Sequence, residues 1–306
     1  MSLSFAIPMT NAAIGAARAA DLVSPVLAAQ IAAPIFERSR PVRRVRDFER
    51  AVHDAAWRYP LRLPRGDGVA YEWGTGPRTV LLVHGWRGRA SQFAPIVREL
   101  RHAGFHLVAF DAPGHGDSYG RRTDIRSWVE AITELHRRYG HFEAIIGHSL
   151  GALTAFNCVR EGVTTPRVAA IAPVSSGRFL FDSFAGQLGL SDRAAEIQRD
   201  RYTRRVFPDF DDAWLSFDAL RAPMPRDIEL LLVHDRDDLQ IPASESERLH
   251  AAHGEHSRLL LTSGVGHTRV LGADQTLDAV SSFVGGGLAA VDRAGLGDER
   301  TVGSFA

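Results

Sequence analysis

The chain has no lysine, so its 36 basic side chains other than histidine are all arginines. A pyridoxal phosphate enzyme needs a lysine amine for its Schiff base, and a GxxxxGK[ST] loop needs one to reach nucleotide phosphates. Both kinds of site are therefore excluded. The 36 acidic residues balance the arginines, and a formal charge of zero gives no general attraction to nucleic acid. We expect no nucleic-acid partner.

Cysteine is almost absent as well, with Cys158 the single example. One thiol can form no intramolecular disulfide and cannot build a multi-cysteine zinc site. We therefore expect a reducing compartment, the cytoplasm, and a buried core position for Cys158. No uninterrupted apolar run reaches transmembrane length, so we expect no integral membrane segment.

What the chain does have is a regular alternation of short apolar runs and longer helical patterns from residue 61 onward. This alternation is typical of an α/β protein with a doubly wound, mostly parallel sheet covered by helices. The predicted strands are 79–83, 106–110, 144–146, 168–173, 228–233 and 258–261, with 61–63 and 69–73 as an antiparallel edge. The predicted helices are 91–102, 124–139, 152–161, 244–252 and 274–283.

Three segments fall outside this rhythm. Residues 1–60 form a predicted N-terminal helical extension, because 11–35 is alanine-rich with apolar residues spaced as on one helix face. A run of arginines follows that helix: Arg38, Arg40, Arg43, Arg44 and Arg46. We expect the helix to pack on the α/β domain that follows it, or on a second copy of the chain in a homodimer. A helix lying on a membrane surface is the alternative.

The second segment, about 175–226, lies within the predicted α/β domain, 61–285. It is too long for a simple crossover and is rich in aromatic residues. We interpret it as a helical cap over the strand ends, and an extended crossover with its own small core is the other interpretation. The third segment, 286–306, is rich in glycine and lacks periodicity, and we expect it to be a mobile tail.

The sequence Gly147-His148-Ser149-Leu150-Gly151 is a G-x-S-x-G motif between an apolar strand and a helical pattern. In that context the serine lies on a sharp turn, and its hydroxyl projects above the edge of the sheet. Ser149 is therefore the candidate nucleophile. The N–H of Leu150, at the start of the following helix, is the first candidate donor to an oxyanion.

Four motifs, in this order, resemble those of the α/β-hydrolase superfamily over about residues 61–285. They are His84-Gly85-Trp86, the segment 111–118, the serine motif, and the segment 234–242 before Gly266-His267. The resemblance implies a serine hydrolase related to esterases and lipases, with the chain order Ser, Asp, His.

The resemblance also implies roles for individual residues. Trp86 would supply the second N–H of the oxyanion hole, and His267 would be the general base. Asp238 lies at the family's spacing for the acid, four residues after His234, and Asp237 is the alternative. Asp235 stands where the family usually has glycine.

Three more polar side chains, His84, His115 and Asp117, lie within these motifs. His84 is expected to hold the loop rather than to take part in the chemistry. The segment with His115 and Asp117 is assigned a structural turn, and the entrance of the site is a less favoured place for these two residues.

The implied reaction is cleavage of a carboxylic ester, or a related acyl substrate, through an acyl-enzyme. An aromatic cap favours a small-molecule substrate with an apolar group, and the reaction needs no metal or organic cofactor. Amide, thioester, lactone and carbon–carbon bond hydrolysis use the same residues and stay open. The rival from another class is a non-catalytic protein of this fold that binds a ligand.

Overall fold

The computed structural model describes residues 11–210 and 212–297, which contain one eight-stranded sheet. Its strands are β1 (Trp57–Leu61), β2 (Gly68–Trp73), β3 (Thr79–Val83), β4 (His106–Asp111), β5 (Ala144–His148), β6 (Arg167–Ile171), β7 (Glu229–Asp235) and β8 (Ser257–Thr262). Their spatial order is β1-β2-β4-β3-β5-β6-β7-β8. The six strands from β3 to β8 are parallel, and β1 and β2 form an antiparallel edge. The predicted fold class is confirmed.

Twelve helices accompany the sheet in these residues: α1 (Asn11–Val23), α2 (Pro25–Phe36), α3 (Asp47–Asp54), α4 (Ala94–His102), α5 (Ile125–Tyr139), α6 (Leu150–Arg160), α7 (Gly177–Leu188), α8 (Asp192–Val206), α9 (Ala213–Ser216), α10 (Ser244–His253), α11 (Gly266–Arg269) and α12 (Asp274–Arg293). Among the helices described, none combines the length and the apolar character needed to cross a bilayer.

Helices cover the sheet on both sides, which explains why the parallel strands are apolar throughout. On one face, Trp128 of α5, Phe156 of α6 and Leu249 of α10 belong to one buried cluster. On the other face, Ile96 of α4 and Phe283 of α12 belong to a second. Cys158 is buried in the first cluster, as the sequence predicts. Because the strands are parallel, the loops after β3, β5, β7 and β8 meet at one edge.

The N-terminal extension differs from the single helix expected over 11–35. Ser24 and Pro25 divide it, because the Ser24 hydroxyl caps α2 and proline is favourable only in the first turn of a helix. Both helices lie against the segment between β6 and β7. Ala17 and Ala32 share a small apolar cluster with Phe184 of α7, and Glu37 forms an ion pair with Arg205 of α8.

Residues 175–226 contain the three helices α7, α8 and α9. Serine side chains begin the two longer ones: the Ser176 hydroxyl accepts from the Phe179 N–H, and the Ser191 hydroxyl from the Ala194 N–H. Phe181 packs toward the N-terminal extension, with its ring centroid 4.2 Å from that of Phe36. The extension and this helical insertion therefore form one layer above the sheet edge.

The chain beyond residue 285 differs from the mobile tail expected over 286–306. Helix α12 changes direction at Gly286 and Gly287 and then continues to Arg293. Gly287 adopts a φ of +69°, which glycine tolerates, and the turn brings Leu288 and Val291 into the core. The glycine content of this segment suggested a mobile tail, but two of its glycines instead permit a kink within a helix. Residues 298–306 of the expected tail lie outside the described residues.

Two glycines in helices allow a matched test of this packing. A Cβ on Gly151 of α6 would lie 2.2 Å from the Val83 carbonyl oxygen of β3, whereas a Cβ on Gly186 of α7 would meet nothing within 4 Å. We expect Gly151→Ala to lower the free energy of unfolding by about 1–3 kcal/mol through overpacking. Gly186→Ala should raise it by about 0.5–1 kcal/mol. Urea unfolding measures both, and equal effects of the two substitutions would contradict the close packing of α6 on β3.

Candidate active site

Ser149 lies between β5 and α6 in a strained backbone conformation, with φ +55° and ψ −121°. A positive φ is unfavourable for a residue with a side chain and needs support from its surroundings. The Ser149 N–H donates to the Ile171 carbonyl of β6 at 3.0 Å. Gly147 permits the sharp turn, because a Cβ there would lie 2.5 Å from the Ala152 Cα. The turn places Ser149 at the carboxyl edge of the sheet.

The two residues predicted to supply oxyanion donors, Leu150 and Trp86, line the same cavity as this serine. Leu150 is the first residue of α6, where a helix leaves its N–H groups without helical partners. The loop after β3 runs directly over the serine, since a Cβ on Gly85 would lie 2.9 Å from the Ser149 Cβ. Trp86 follows in that loop. Its indole ring stacks on Trp128, with centroids 5.8 Å apart.

His267 and Asp238 meet across the loops that follow β8 and β7. The distance from His267 Nδ1 to Asp238 Oδ2 is 2.6 Å. The other oxygen of Asp238 accepts from the N–H groups of Gln240 and Ile241 at 2.7 and 3.0 Å. Burial by itself raises the pKa of Asp238, but hydrogen bonds from His234 and His267 outweigh it and hold that pKa well below its usual range. Asp238 is therefore a buried carboxylate bound to the candidate base.

Asp237, the alternative acid, has a different environment. Its side chain is exposed, and one oxygen accepts from the Gly264 N–H at 2.8 Å. In this geometry the carboxylate bonded to the His267 ring is that of Asp238. Asp237 instead fastens the start of the loop that carries the histidine.

Asp235, at the position where the resemblance leads one to expect glycine, lies beneath the same loop. Its buried carboxylate accepts from the Val265 and Gly266 N–H groups at 3.2 and 2.9 Å, and from the Thr262 hydroxyl at 2.8 Å. Burial raises the pKa of Asp235, but these hydrogen bonds reverse the shift and lower it. The carboxylate thus orders the two residues before His267.

His148, directly before the serine, supports His267 from the other side. Its Nε2 lies 2.8 Å from the His267 carbonyl oxygen, a contact that requires the hydrogen on Nε2. The two ring centroids are 4.8 Å apart. Burial, followed by the neighbouring charge of His267, lowers the pKa of His148 to about 3. His148 is therefore a neutral donor that positions the backbone of the candidate base.

The remaining polar residues of the motifs have partners away from the serine. His84 is buried, with Nδ1 at 2.7 Å from the Gly85 carbonyl oxygen and Nε2 accepting from the Ala112 N–H at 3.0 Å. Both contacts fit the loop-holding role expected of it. His115 is buried and accepts from the Arg87 N–H at 3.0 Å. Asp117 binds Arg89 at 2.7 Å, so its carboxylate belongs to a neighbouring polar network.

Two cavities meet at Ser149. The first has a volume of about 60 Å³ and an apolar wall that includes Trp86, Leu150, Phe181 and Trp214. The second has a volume of about 360 Å³ and a more polar wall, which includes Trp86 again together with residues of the loops after β5, β7 and β8. His267 lines the second cavity alongside Ser149. We call them the apolar cavity and the polar cavity.

Sequence reasoning missed several residues of this site. Phe36 lines the apolar cavity and Arg43 the polar one, although both come from the extension before the catalytic domain. The basic run was a visible signal, but its distance in sequence from the motifs concealed its place. His148 had no signal beyond its position next to the serine.

The shifted pKa of His148 predicts how stability depends on pH. Its ordinary value of 6.5 falls to about 3 in the folded protein, so between these pH values the unfolded chain binds more protons. The free energy of unfolding therefore decreases as pH falls through this window, by up to about 1.4 kcal/mol per pH unit from this residue. We expect His148→Gln to flatten that slope in urea unfolding between pH 7 and pH 4.5. Equal slopes for variant and wild type would contradict the buried neutral state.

The chain is similar to known proteins in sequence and in fold. The model of the alpha/beta hydrolase family matches residues 80–297. The pimeloyl-[acyl-carrier protein] methyl ester esterase of Xanthomonas campestris is 28% identical over 253 residues, covering 69% of this chain and 96% of the relative.

Two further similarities are more limited. The phospholipase YtpA of Bacillus subtilis is 29% identical over 98 residues, and the match covers 30% of this chain and only 38% of that relative's length. The solved structure of an esterase from Rhodococcus sp. superposes with a TM-score of 0.54 at 17% identity, covering 76% of this chain and 99% of the other. Similarity at that identity shows the fold alone. The family match, which covers most of the chain, establishes that this protein belongs to the alpha/beta hydrolase family.

Proposed function

We propose that the protein is a serine esterase that cleaves carboxylic esters with an apolar acyl group, through an acyl-enzyme. The observation that carries this proposal is the 2.6 Å contact between His267 and Asp238 on loops that share the polar cavity with Ser149. A serine, a histidine and a buried carboxylate held in this relation are the parts that nucleophilic acyl transfer needs.

Each group has a distinct task in the proposed reaction. Because Asp238 accepts the hydrogen on His267 Nδ1, it leaves Nε2 of that ring free of a proton and able to take one from Ser149. The Ser149 oxygen then attacks the ester carbonyl carbon. The resulting oxyanion is stabilised by the N–H groups of Trp86 and Leu150.

The second half of the reaction runs through the same groups. His267 returns the proton to the alcohol oxygen as the bond between that oxygen and the carbonyl carbon breaks. Water then attacks the acyl carbonyl carbon while giving a proton to His267, and His267 returns a proton to the Ser149 oxygen as the bond to that carbon breaks and the acid leaves. Asp238 stays ionised throughout and stabilises the imidazolium that forms twice in the cycle.

The apolar cavity supports the choice of acyl group. It is lined by both residues proposed to supply oxyanion donors, Trp86 and Leu150, and by residues of the insertion that are mostly aromatic, among them Phe181 and Phe217. An apolar chain attached to the carbonyl carbon would be removed from water there. We accordingly assign residues 175–226 as a cap. Relatives that are named as esterases favour an ester over the other acyl bonds.

A location in the cytoplasm remains a proposal that rests on the single cysteine. Cys158 is buried, and a chain with one thiol gains nothing from an oxidising compartment.

Labelling with a fluorophosphonate tests the nucleophile. We expect the folded wild-type protein to be labelled at Ser149, because a serine activated by a base attacks the phosphorus and keeps it. Ser149→Ala should remove the label and reduce ester hydrolysis by about 10⁵–10⁶-fold. Intact-mass and peptide mass spectrometry give the site of labelling. Label that survives this substitution, or folded wild type that takes up none, would overturn the proposal.

The paired variants Asp238→Asn and Asp237→Asn test the acid. We expect Asp238→Asn to lower kcat by about 10⁴-fold, because the amide no longer fixes the useful tautomer of His267 or stabilises its cation. Asp237→Asn should change kcat by less than about threefold, since an amide oxygen can still accept from Gly264. Initial rates on a butanoyl ester measure both. If only the Asp237 variant loses turnover, Asp238 is not the acid.

A further inference from the structure

The run of arginines between α2 and α3 reaches the edge of the candidate active site. We call residues 37–46 the basic strap. Three of its residues, Pro41, Val42 and Arg43, line the polar cavity together with Ser149 and His267. A segment remote in sequence from the four motifs thus forms part of the wall beside the proposed nucleophile.

Arginine side chains of the core domain hold the strap in this place. Arg89 donates to the Arg43 carbonyl oxygen at 3.1 Å, and Arg87 donates to the Arg40 carbonyl oxygen at 2.6 Å. The Ser39 N–H also donates to the Arg121 carbonyl oxygen at 3.2 Å. These bonds are made to backbone carbonyl groups, and Arg89 also pairs with Asp117 at 2.7 Å.

The polar cavity consequently has a wall of one charge sign. Arg43 and Arg87 are among its lining residues, and none of the described residues that line it is acidic. Arg43 pairs with the buried Glu49 at 3.3 Å, yet its buried Nε has no hydrogen-bond partner in the described part of the chain. A desolvated guanidinium with an unused N–H favours an anionic oxygen.

Other arginines add to this positive field. Burial, and after it the charge of Arg46, lowers the pKa of Arg43. Burial, followed by the charge of Arg38, lowers the pKa of Arg87. Like charges close enough to disfavour each other's ionisation attract an incoming anion together.

The position of His267 decides which part of a substrate occupies this cavity. In the proposed reaction His267 gives its proton to the departing alcohol, so that alcohol leaves on the histidine side of Ser149. His267 lines the polar cavity, whereas the apolar cavity is lined by Ser149 with aromatic and aliphatic residues and not by His267. The acyl chain therefore lies under the cap, and the alcohol lies next to the strap.

We propose that the alcohol part of the substrate carries an anionic group, a carboxylate or a phosphate, which Arg43 and Arg87 bind. This inference rests on the proposed esterase function and specifies its substrate class. The charged group takes no part in the bond changes: the ester C–O bond breaks, the alcohol leaves with the proton from His267, and water releases the acid.

Three esters with the same acyl group test the inference: 4-(butanoyloxy)benzoate, 4-(butanoyloxy)phenyl phosphate and the neutral 4-(butanoyloxy)benzamide. The readout is the ratio of kcat/KM for each anionic ester to that for the amide. We expect Arg87→Gln to lower this ratio by about tenfold for at least one anion, the effect of losing one charged hydrogen bond. Because both kcat/KM values of a ratio are measured on the same protein preparation, a general loss of activity affects both equally and leaves the ratio unchanged.

Two further variants and a salt series serve as controls. Arg137→Gln removes an exposed arginine that pairs with Glu134 on α5, and it should leave the ratio unchanged. Arg43→Lys keeps the positive charge beside the buried Glu49. In this variant the ratio of kcat/KM values should fall by less than about threefold. For wild type, raising the ionic strength from about 0.02 M to about 0.5 M should lower the ratio several-fold, because salt screens charge attraction.

The possible results distinguish failure of the anionic alcohol group from failure of the proposed esterase function. Hydrolysis of all three esters that depends on Ser149, with ratios equal in wild type and Arg87→Gln and insensitive to salt, would overturn the anionic leaving group alone. Absence of any hydrolysis that depends on Ser149 would overturn both proposals. A ratio that falls in Arg87→Gln and with salt supports the inference, and the anion with the larger fall is the preferred one.

Discussion

The turn at Ser149 is the constraint on which the rest of the site depends. A positive φ at a residue with a side chain costs free energy, and close packing around the turn offsets that cost. Gly85 and Gly151 leave no room for a Cβ where the turn meets the loop after β3 and the end of that strand, and Gly147 leaves none where the turn meets the start of α6. As a result, the loop that carries Trp86 and the start of α6 lie close to the serine, and Trp86 and Leu150 both line the apolar cavity.

The loop with His267 is held to this turn by groups from β5 and β7, the two strands on either side of β6. His148, the last residue of β5, contacts the His267 carbonyl, and Asp235, the last residue of β7, binds the N–H groups just before the histidine. Asp238 then holds the ring itself. Since all three groups are buried, their hydrogen bonds act in a medium of low polarity, where each bond is stronger and each broken bond is costlier.

The region outside the sheet determines what the site can accept. The N-terminal extension packs on the insertion between β6 and β7, and together they enclose an apolar volume on one side of Ser149. The strap that leaves this extension carries arginines to the other side. One turn in the backbone thus separates two environments of opposite polarity, which is the arrangement that an ester with an apolar acid and a polar alcohol would need.

The sequence by itself determined the alternating strands and helices, the antiparallel edge and the strand-turn-helix context of Ser149. These features depend on neighbours within a few residues: apolar runs, helical spacing and glycines at a sharp turn. The break at Ser24 and Pro25 and the kink at Gly286 are also local features. The alanine-rich composition around the break indicated one continuous helix, however, and the glycine-rich composition around the kink indicated a mobile tail.

Only the tertiary structure decided which of three aspartates bonds to His267. Asp235, Asp237 and Asp238 lie within four residues, and their roles differ because the backbone after β7 turns one carboxylate toward the ring and the others toward N–H groups. It also decided that Phe36 and Arg43 belong to the site. Contacts between segments more than a hundred residues apart follow from how the layers pack, and no pattern within a single segment contains that information.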